Sequence, residues 1–179
     1  MVCPSWLSFI LYNPIRKFFT DMNKVIAESG ITSHSIVLEI GAGNGFLTEA
    51  LAEHAKKVFA VELQSGMVRK LQKRVQRFGS KVEIIHSDIA AFKFEEEFAD
   101  VCIMYYSFHE VRNKLEAARN LGRAVKINGI LSIYEPTIEV TKSGMEETIG
   151  LLKGAGFVRE IDRCHLLTRF VRLRKSVNV

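Results

Sequence analysis

The chain has 179 residues, with 25 Lys and Arg against 20 Asp and Glu for a formal charge of +5, and it is 47% hydrophobic. That length and mixture suit one globular domain and exclude a largely disordered chain. The positive balance suits nucleic acid, an anionic membrane or acidic small molecules, and does not choose among them.

The apolar stretch from Trp6 to Tyr12 is broken by Ser8 and falls far short of the roughly 20 residues that span a bilayer. No Lys or Arg precedes it, so no transmembrane segment and no signal peptide are expected. From Pro14 to Ser29, apolar residues at three- and four-residue steps predict a helix that stops at Gly30. Residues 1–30 thus read as an N-terminal helical extension, and 31–179 as the main domain.

The main domain alternates short apolar runs with amphipathic stretches. Strands are expected at Ser35–Ile40, Lys57–Glu62, Val82–His86, Ala99–Tyr105 and Gly129–Glu135. Helices are expected at Phe46–Ala55, Gly66–Phe78, Glu110–Lys126 and Thr141–Ala155. Two last strands, Phe157–Arg163 and Leu166–Arg174, are separated only by Cys164 and His165, so they should pair antiparallel. Alternating strands and helices imply an α/β fold with a parallel sheet covered on both faces. The three cysteines, Cys3, Cys102 and Cys164, form no disulfide framework and no metal clip, so a reducing, cytoplasmic setting is expected.

The sharpest motif is Glu39-Ile40-Gly41-Ala42-Gly43-Asn44-Gly45, at the end of the first strand and the opening of a helix. Ligands dock there in doubly wound sheets. The dinucleotide fingerprint needs its third glycine one position later, where Phe46 stands. Glu39 would also put negative charge beside a pyrophosphate. A phosphate-free cofactor with a cationic end fits better, and S-adenosylmethionine is such a molecule. Glu62 ends the second strand and is placed to accept ribose hydroxyls, with Leu63 beside it. Asp88 follows the third strand, placed for an adenine amino group, with Met67 and Ile89 as apolar walls.

With these residues in place, residues 35 to 175 resemble the class I S-adenosylmethionine-dependent methyltransferases. Glu39–Gly45 resembles motif I, Val61-Glu62-Leu63 with Met67 the ribose and adenine segment, and Ser87-Asp88-Ile89 the adenine turn. Ala99–Val111 resembles motif IV and its continuation, and Asn128–Pro136 the fifth strand. The resemblance implies a Rossmann-like sheet of order 3-2-1-4-5-7-6 with strand 7 reversed, and release of S-adenosylhomocysteine as product.

Motif IV narrows the acceptor. Met104-Tyr105-Tyr106-Ser107-Phe108-His109 lacks the Asn/Asp-Pro-Pro-Tyr type tetrapeptide of amino methylation. Cys102, mid-strand, reads as a buried small hydrophobe, and Cys164 lies in the far hairpin, so neither serves cytosine methylation. No carboxylate triad or His cluster suggests a metal. Phe108-His109-Glu110 and Tyr134-Glu135-Pro136 resemble the type 11 branch, similar to the enzymes of ubiquinone and menaquinone biosynthesis. That resemblance implies a small-molecule acceptor of lipid- or quinone-like kind.

His109 follows the fourth strand and is the candidate base, since imidazole titrates near neutral pH. Tyr106 is the second catalytic candidate, and of the Tyr105–Tyr106 pair one is expected to face the cofactor and the other the core. Tyr12 and Phe18 belong to the aromatic extension, expected to act as a lid over the acceptor. His34, His54, His86 and His165 have no motif context and read as structural.

Two other readings stand beside this one. Val37–Leu51 and Lys56–Glu62 also resemble the RNA adenine dimethylases of ribosome assembly, although these carry Asn-Leu-Pro-Tyr at motif IV and a helical C-terminal domain not read here. An accessory protein that binds the cofactor without turnover is the other. Arg69, Lys70, Lys73, Arg74 and Arg77 oppose an apolar helix stripe and read as a solvated face. Arg169, Arg172, Arg174 and Lys175 alternate with Phe170, Val171 and Leu173 and are expected to point largely outward.

Overall fold

The computed structural model describes residues 21–177 apart from 95 and 166, so Tyr12, Phe18 and most of the expected lid lie outside the described residues. Seven strands form one sheet in the order β3-β2-β1-β4-β5-β7-β6. In chain order, the first elements are α1 (Met22–Glu28), β1 (Ile36–Ile40), α2 (Phe46–His54), β2 (Lys57–Glu62), α3 (Ser65–Val75) and β3 (Val82–His86). There follow β4 (Ala99–Tyr105), α4 (Lys114–Ala124), β5 (Val125–Pro136), α5 (Lys142–Gly154), β6 (Phe157–Cys164) and β7 (Thr168–Lys175). β1 pairs parallel with β2 and β4, while β7 runs antiparallel to both β5 and β6. This is the Rossmann-like methyltransferase sheet expected from the sequence.

The period of two along the central strands divides their side chains between the two faces. Val37, Val101 and Ile103 join Val25, Leu47, Leu51 and Phe170 on the α1–α2 side. Leu38, Cys102 and Met104 join Leu121, Ile149 and Leu152 on the α4–α5 side. Both faces of the central strands are therefore buried, which is why β1 and β4 read as continuous apolar runs.

Several boundaries differ from the sequence reading, the larger ones at α4, β5 and α3. α4 starts at Lys114 because the Asn113 side chain caps it, accepting from the Glu116 N–H at 3.2 Å. Phe108–Glu110 form a separate 3-10 turn. β5 begins at Val125, then breaks register: Ala99 faces Val125, but Val101 faces Ile130. Asn128 in this bulge has φ of 65°. α3 ends at Val75 and passes into a 3-10 segment through Lys81.

Lys175 corrects the expectation of an outward charge. It is 1% exposed, and its ammonium donates to the carbonyl oxygens of Gly122 and Val125 at the end of α4. The last carbonyls of a helix lack intrahelical partners and favour a cation, so the end of α4 receives one from β7.

Candidate active site

The switch point between β1 and β4 opens a cavity of about 790 Å³ at the carboxyl ends of the strands. Glu39, Gly41, Ala42, Gly43, Glu62, Leu63, Met67, Asp88, Ile89, Tyr105, Tyr106 and His109 all line it. The structure thus brings nearly every described residue of the sequence-derived site to one cavity. Gly45 is the exception. Its φ is 83°, and a Cβ there would stand 2.7 Å from Leu71, so it serves the packing of α3.

The glycine loop is fixed from several directions. Gly41 has φ of 73°, and a Cβ on it would fall 2.5 Å from the Cβ of Ser107. Ser107 Oγ donates to the Ile40 carbonyl at 2.8 Å, which holds the loop after β4 against the loop after β1. Glu62 accepts the Gly43 N–H at 2.8 Å and the Gln64 N–H at 2.7 Å, so both carboxylate oxygens are anchored by backbone. Asp88 accepts the Ala90 N–H at 2.8 Å, which shapes the turn after β3. Met67 and Ile89 are buried.

Glu39 is fully buried and accepts from Thr48 Oγ at 2.6 Å. Burial raises its pKa to about 8; the Thr48 bond opposes the rise and the charge of Glu62 adds to it. A cation arriving beside Glu39 would favour its ionised form. The Cys102 thiol is also pushed up by burial, consistent with a packed side chain and not a nucleophile.

Tyr105 and Tyr106 stack with ring centroids 4.4 Å apart. Both line the cavity, and both also pack against the core on the α1–α2 side. Tyr106 holds φ of 57°, an unusual conformation for an aromatic residue, and its hydroxyl is bonded to Thr168 Oγ on β7.

His109 also reaches the cavity, with a carboxylate beside each ring nitrogen. Its Nδ1 lies 2.5 Å from Glu135 Oε2, and its Nε2 lies 2.8 Å from Glu139 Oε2. A neutral imidazole carries one N–H, whereas two carboxylates on two ring nitrogens require two. Burial pushes the pKa of His109 down, but the hydrogen bond and charge of Glu135, with Glu139 and Glu110, outweigh it and hold the pKa above its ordinary value. Both contacts together call for the protonated ring, and the raised pKa favours it.

Glu135, Glu139, Ser107 and Arg112 were not singled out as site residues from the sequence. Glu135 alone carried a signal, as a carboxylate at the end of an apolar strand, which needs a partner once buried. Among the described residues, no group of three or more His, Cys, Asp or Glu side chains could hold a metal ion. Among the described residues, no helix is long and apolar enough to cross a membrane.

The family described as "Methyltransferase domain" matches residues 38–133, more than half of the chain. The chain belongs to this family, the type 11 class I S-adenosylmethionine-dependent methyltransferases. The chain is similar to a ribosomal RNA small subunit methyltransferase of Arabidopsis thaliana, 38% identical over 96 residues, covering 52% of this chain and 25% of that protein. It is also similar to an uncharacterized methyltransferase of a Geobacillus species, 28% identical over 144 residues, covering 79% of this chain and 66% of that protein. The chain spans between 25% and 40% of the length of the ribosomal RNA methyltransferases it matches. A crystal structure of a SAM-dependent methyltransferase from Aquifex aeolicus shares the fold, with TM-score 0.81, 24% identity and coverage of 97% of this chain and 99% of that one.

S-adenosylmethionine is the cofactor of this family, and the residues present fit it. The cavity offers three carboxyl groups, Glu39, Glu62 and Asp88, to a ligand with an ammonium, a sulfonium and ribose hydroxyls. Buried Met67 and Ile89 line the same cavity and would offer apolar walls to a flat base.

Proposed function

We propose that the protein transfers a methyl group from S-adenosylmethionine to a small-molecule acceptor. One observation carries this reading: a single cavity of about 790 Å³ runs from the carboxylate cradle to Tyr106 and His109. Such a volume lies in the range of pockets that enclose small ligands.

In this reading Glu39, Gly41, Ala42, Gly43, Glu62, Leu63, Met67, Asp88, Ile89 and Tyr105 hold the cofactor, which supplies an electrophilic methyl on a sulfonium. The chain's own work is alignment and exclusion of water. Glu62, fixed by two backbone N–H groups, needs no reorganisation to accept ribose hydroxyls. Tyr106 forms an aromatic wall at the acceptor end, and His109 presents a charged donor there.

A second reading has a specific observation behind it. The relatives named for ribosomal RNA are 28–42% identical over 75 to 127 residues. RNA is therefore the alternative acceptor.

The test is incubation of the protein with isotopically labelled S-adenosylmethionine and two separate cell fractions, small metabolites and total RNA. Label in a low-mass product supports the proposal. Label confined to RNA nucleosides overturns it in favour of the alternative. Binding with no label transferred in either fraction favours a cofactor-binding accessory protein.

A further inference from the structure

The acceptor end of the cavity has an unusual electrostatic arrangement. Glu135 ends β5 with its side chain 3% exposed, and both its oxygens are taken by one residue, through the His109 backbone N–H at 3.0 Å and the ring Nδ1. Its cross-strand neighbour Arg169 does not neutralise it, because that guanidinium donates to the Val140 carbonyl and Cys164. When protonated, His109 is thus the cation of a partly buried ion pair, with its ring orientation set by Glu135.

The remaining donor, Nε2–H, points to Glu139, whose side chain is 54% exposed. Glu139 lies on the turn between β5 and α5. The backbone of that turn is held independently: Glu139 and Val140 donate to the Pro136 carbonyl, Thr137 donates to Leu167, and Arg169 donates to Val140. The Glu139 carboxylate can therefore leave Nε2 by rotating its side chain, without loss of the turn.

Resting on the methyl-transfer reading above, we propose that Glu139 is a tethered placeholder and that the acceptor is an organic acid, whose anionic oxygen takes the place of the Glu139 carboxylate on the His109 imidazolium. The exchange keeps the charge count, one carboxylate leaving as another arrives. Nε2–H needs a hydrogen-bond acceptor, which an ammonium group cannot provide. Arg112 lines the same part of the cavity and makes no hydrogen bond or ion pair among the described residues, so it adds a second cation. Glu110 also lines the cavity and opposes it in charge. Ile138 is 84% exposed, lines the cavity and offers an apolar surface for the rest of the acid. No proton moves in this exchange. Glu135 acts as a positioning residue through His109.

The experiment uses the full chain labelled with ¹⁵N-histidine, with benzoate as probe and no cofactor. The His109 ring signals are assigned from their loss in His109→Asn. In Glu139→Gln, benzoate is expected to bind at least tenfold more tightly than in the wild type, with the His109 ring resonances shifting on binding. Glu135→Gln is expected to give a His109 that titrates at lower pH, with benzoate binding lost at pH 7. Arg112→Gln is expected to weaken benzoate severalfold in the Glu139→Gln background. Unchanged benzoate affinity in Glu139→Gln, or binding that leaves His109 unshifted, overturns the proposal. Because no cofactor is present, the two readings fail separately. Methyl transfer to other acceptors without benzoate binding sinks only this inference. Benzoate binding without methyl transfer to any acceptor sinks the enzymatic reading.

Discussion

Gly43 donates its backbone N–H to Glu62 Oε2 at 2.8 Å, tying the glycine loop after β1 to the end of β2. The other oxygen of Glu62 takes the Gln64 N–H at 2.7 Å, at the entry to α3. Glu62→Gln keeps one acceptor oxygen and introduces an amide donor, so one of the two backbone donors loses its partner. The expected cost is about 1–3 kcal/mol of stability. Urea denaturation of the two proteins measures it, and equal midpoints would show that the loop holds its shape without Glu62.

Glu39 gives the protein a pH dependence of definite sign. Unfolded, the carboxyl has its ordinary value near 4.5; folded, burial holds it at about 8. Between those values the folded state carries a proton that the unfolded state has lost. This contribution to stability therefore falls as pH rises through that window. Glu39→Gln removes the titration. Its melting temperature, relative to the wild type, is expected to rise between pH 5 and pH 8. Parallel melting curves across that range would contradict the assignment.

His109 carries the opposite kind of group and the same sign. Its folded pKa is raised above 6.5 by Glu135, Glu139 and Glu110 against the effect of burial. The stabilisation is complete below the unfolded value and is lost as pH rises through the folded one. In His109→Gln the loss of stability on raising the pH from 6 to 9 should be shallower than in the wild type. Thermal melts across that range measure the difference.

Lys175 brings a buried ammonium to the carboxyl end of α4, where it donates to Gly122 and Val125 carbonyls. Glu97 lies 3.4 Å away as its nearest carboxylate. Lys175→Met preserves the apolar stem and leaves the carbonyls without that donor. A loss of about 1–3 kcal/mol is expected, read from chemical denaturation, with the circular dichroism of the native protein unchanged.

The basic face of α3 tests the RNA alternative. Arg77 is engaged with Glu49 and Glu53, at 3.1 and 2.6 Å. A solvated face predicts weak RNA binding with little dependence on salt. An RNA-binding face predicts affinity that falls steeply with salt and a smaller slope in a variant with Arg69 and Lys73 both changed to Gln. Filter binding at several salt concentrations separates them.

The strands and helices were readable from local pattern, whereas the sheet order followed from the family resemblance. Strand-terminal positions put Glu39, Glu62 and Asp88 at one end of the sheet whatever the rest of the chain does. The state of His109 was not readable. It depends on Glu135, 26 residues away in sequence, and on the turn carrying Glu139. Lys175 was misread from its residue type, although the strand period places it on the same face as buried Val171 and Leu173. Asn113 followed by Glu116 was a capping signal within an expected continuous helix, and it set the true start of α4.

The central claim is that the cavity between Glu62 and Asp88 binds S-adenosylmethionine. Isothermal titration calorimetry of the wild type and Glu62→Ala tests it most directly. The expected result is one-to-one binding of S-adenosylmethionine by the wild type, weakened more than tenfold in the variant, with no binding of a nicotinamide dinucleotide. Absence of S-adenosylmethionine binding to the folded wild type, or equal affinity in Glu62→Ala, would contradict it.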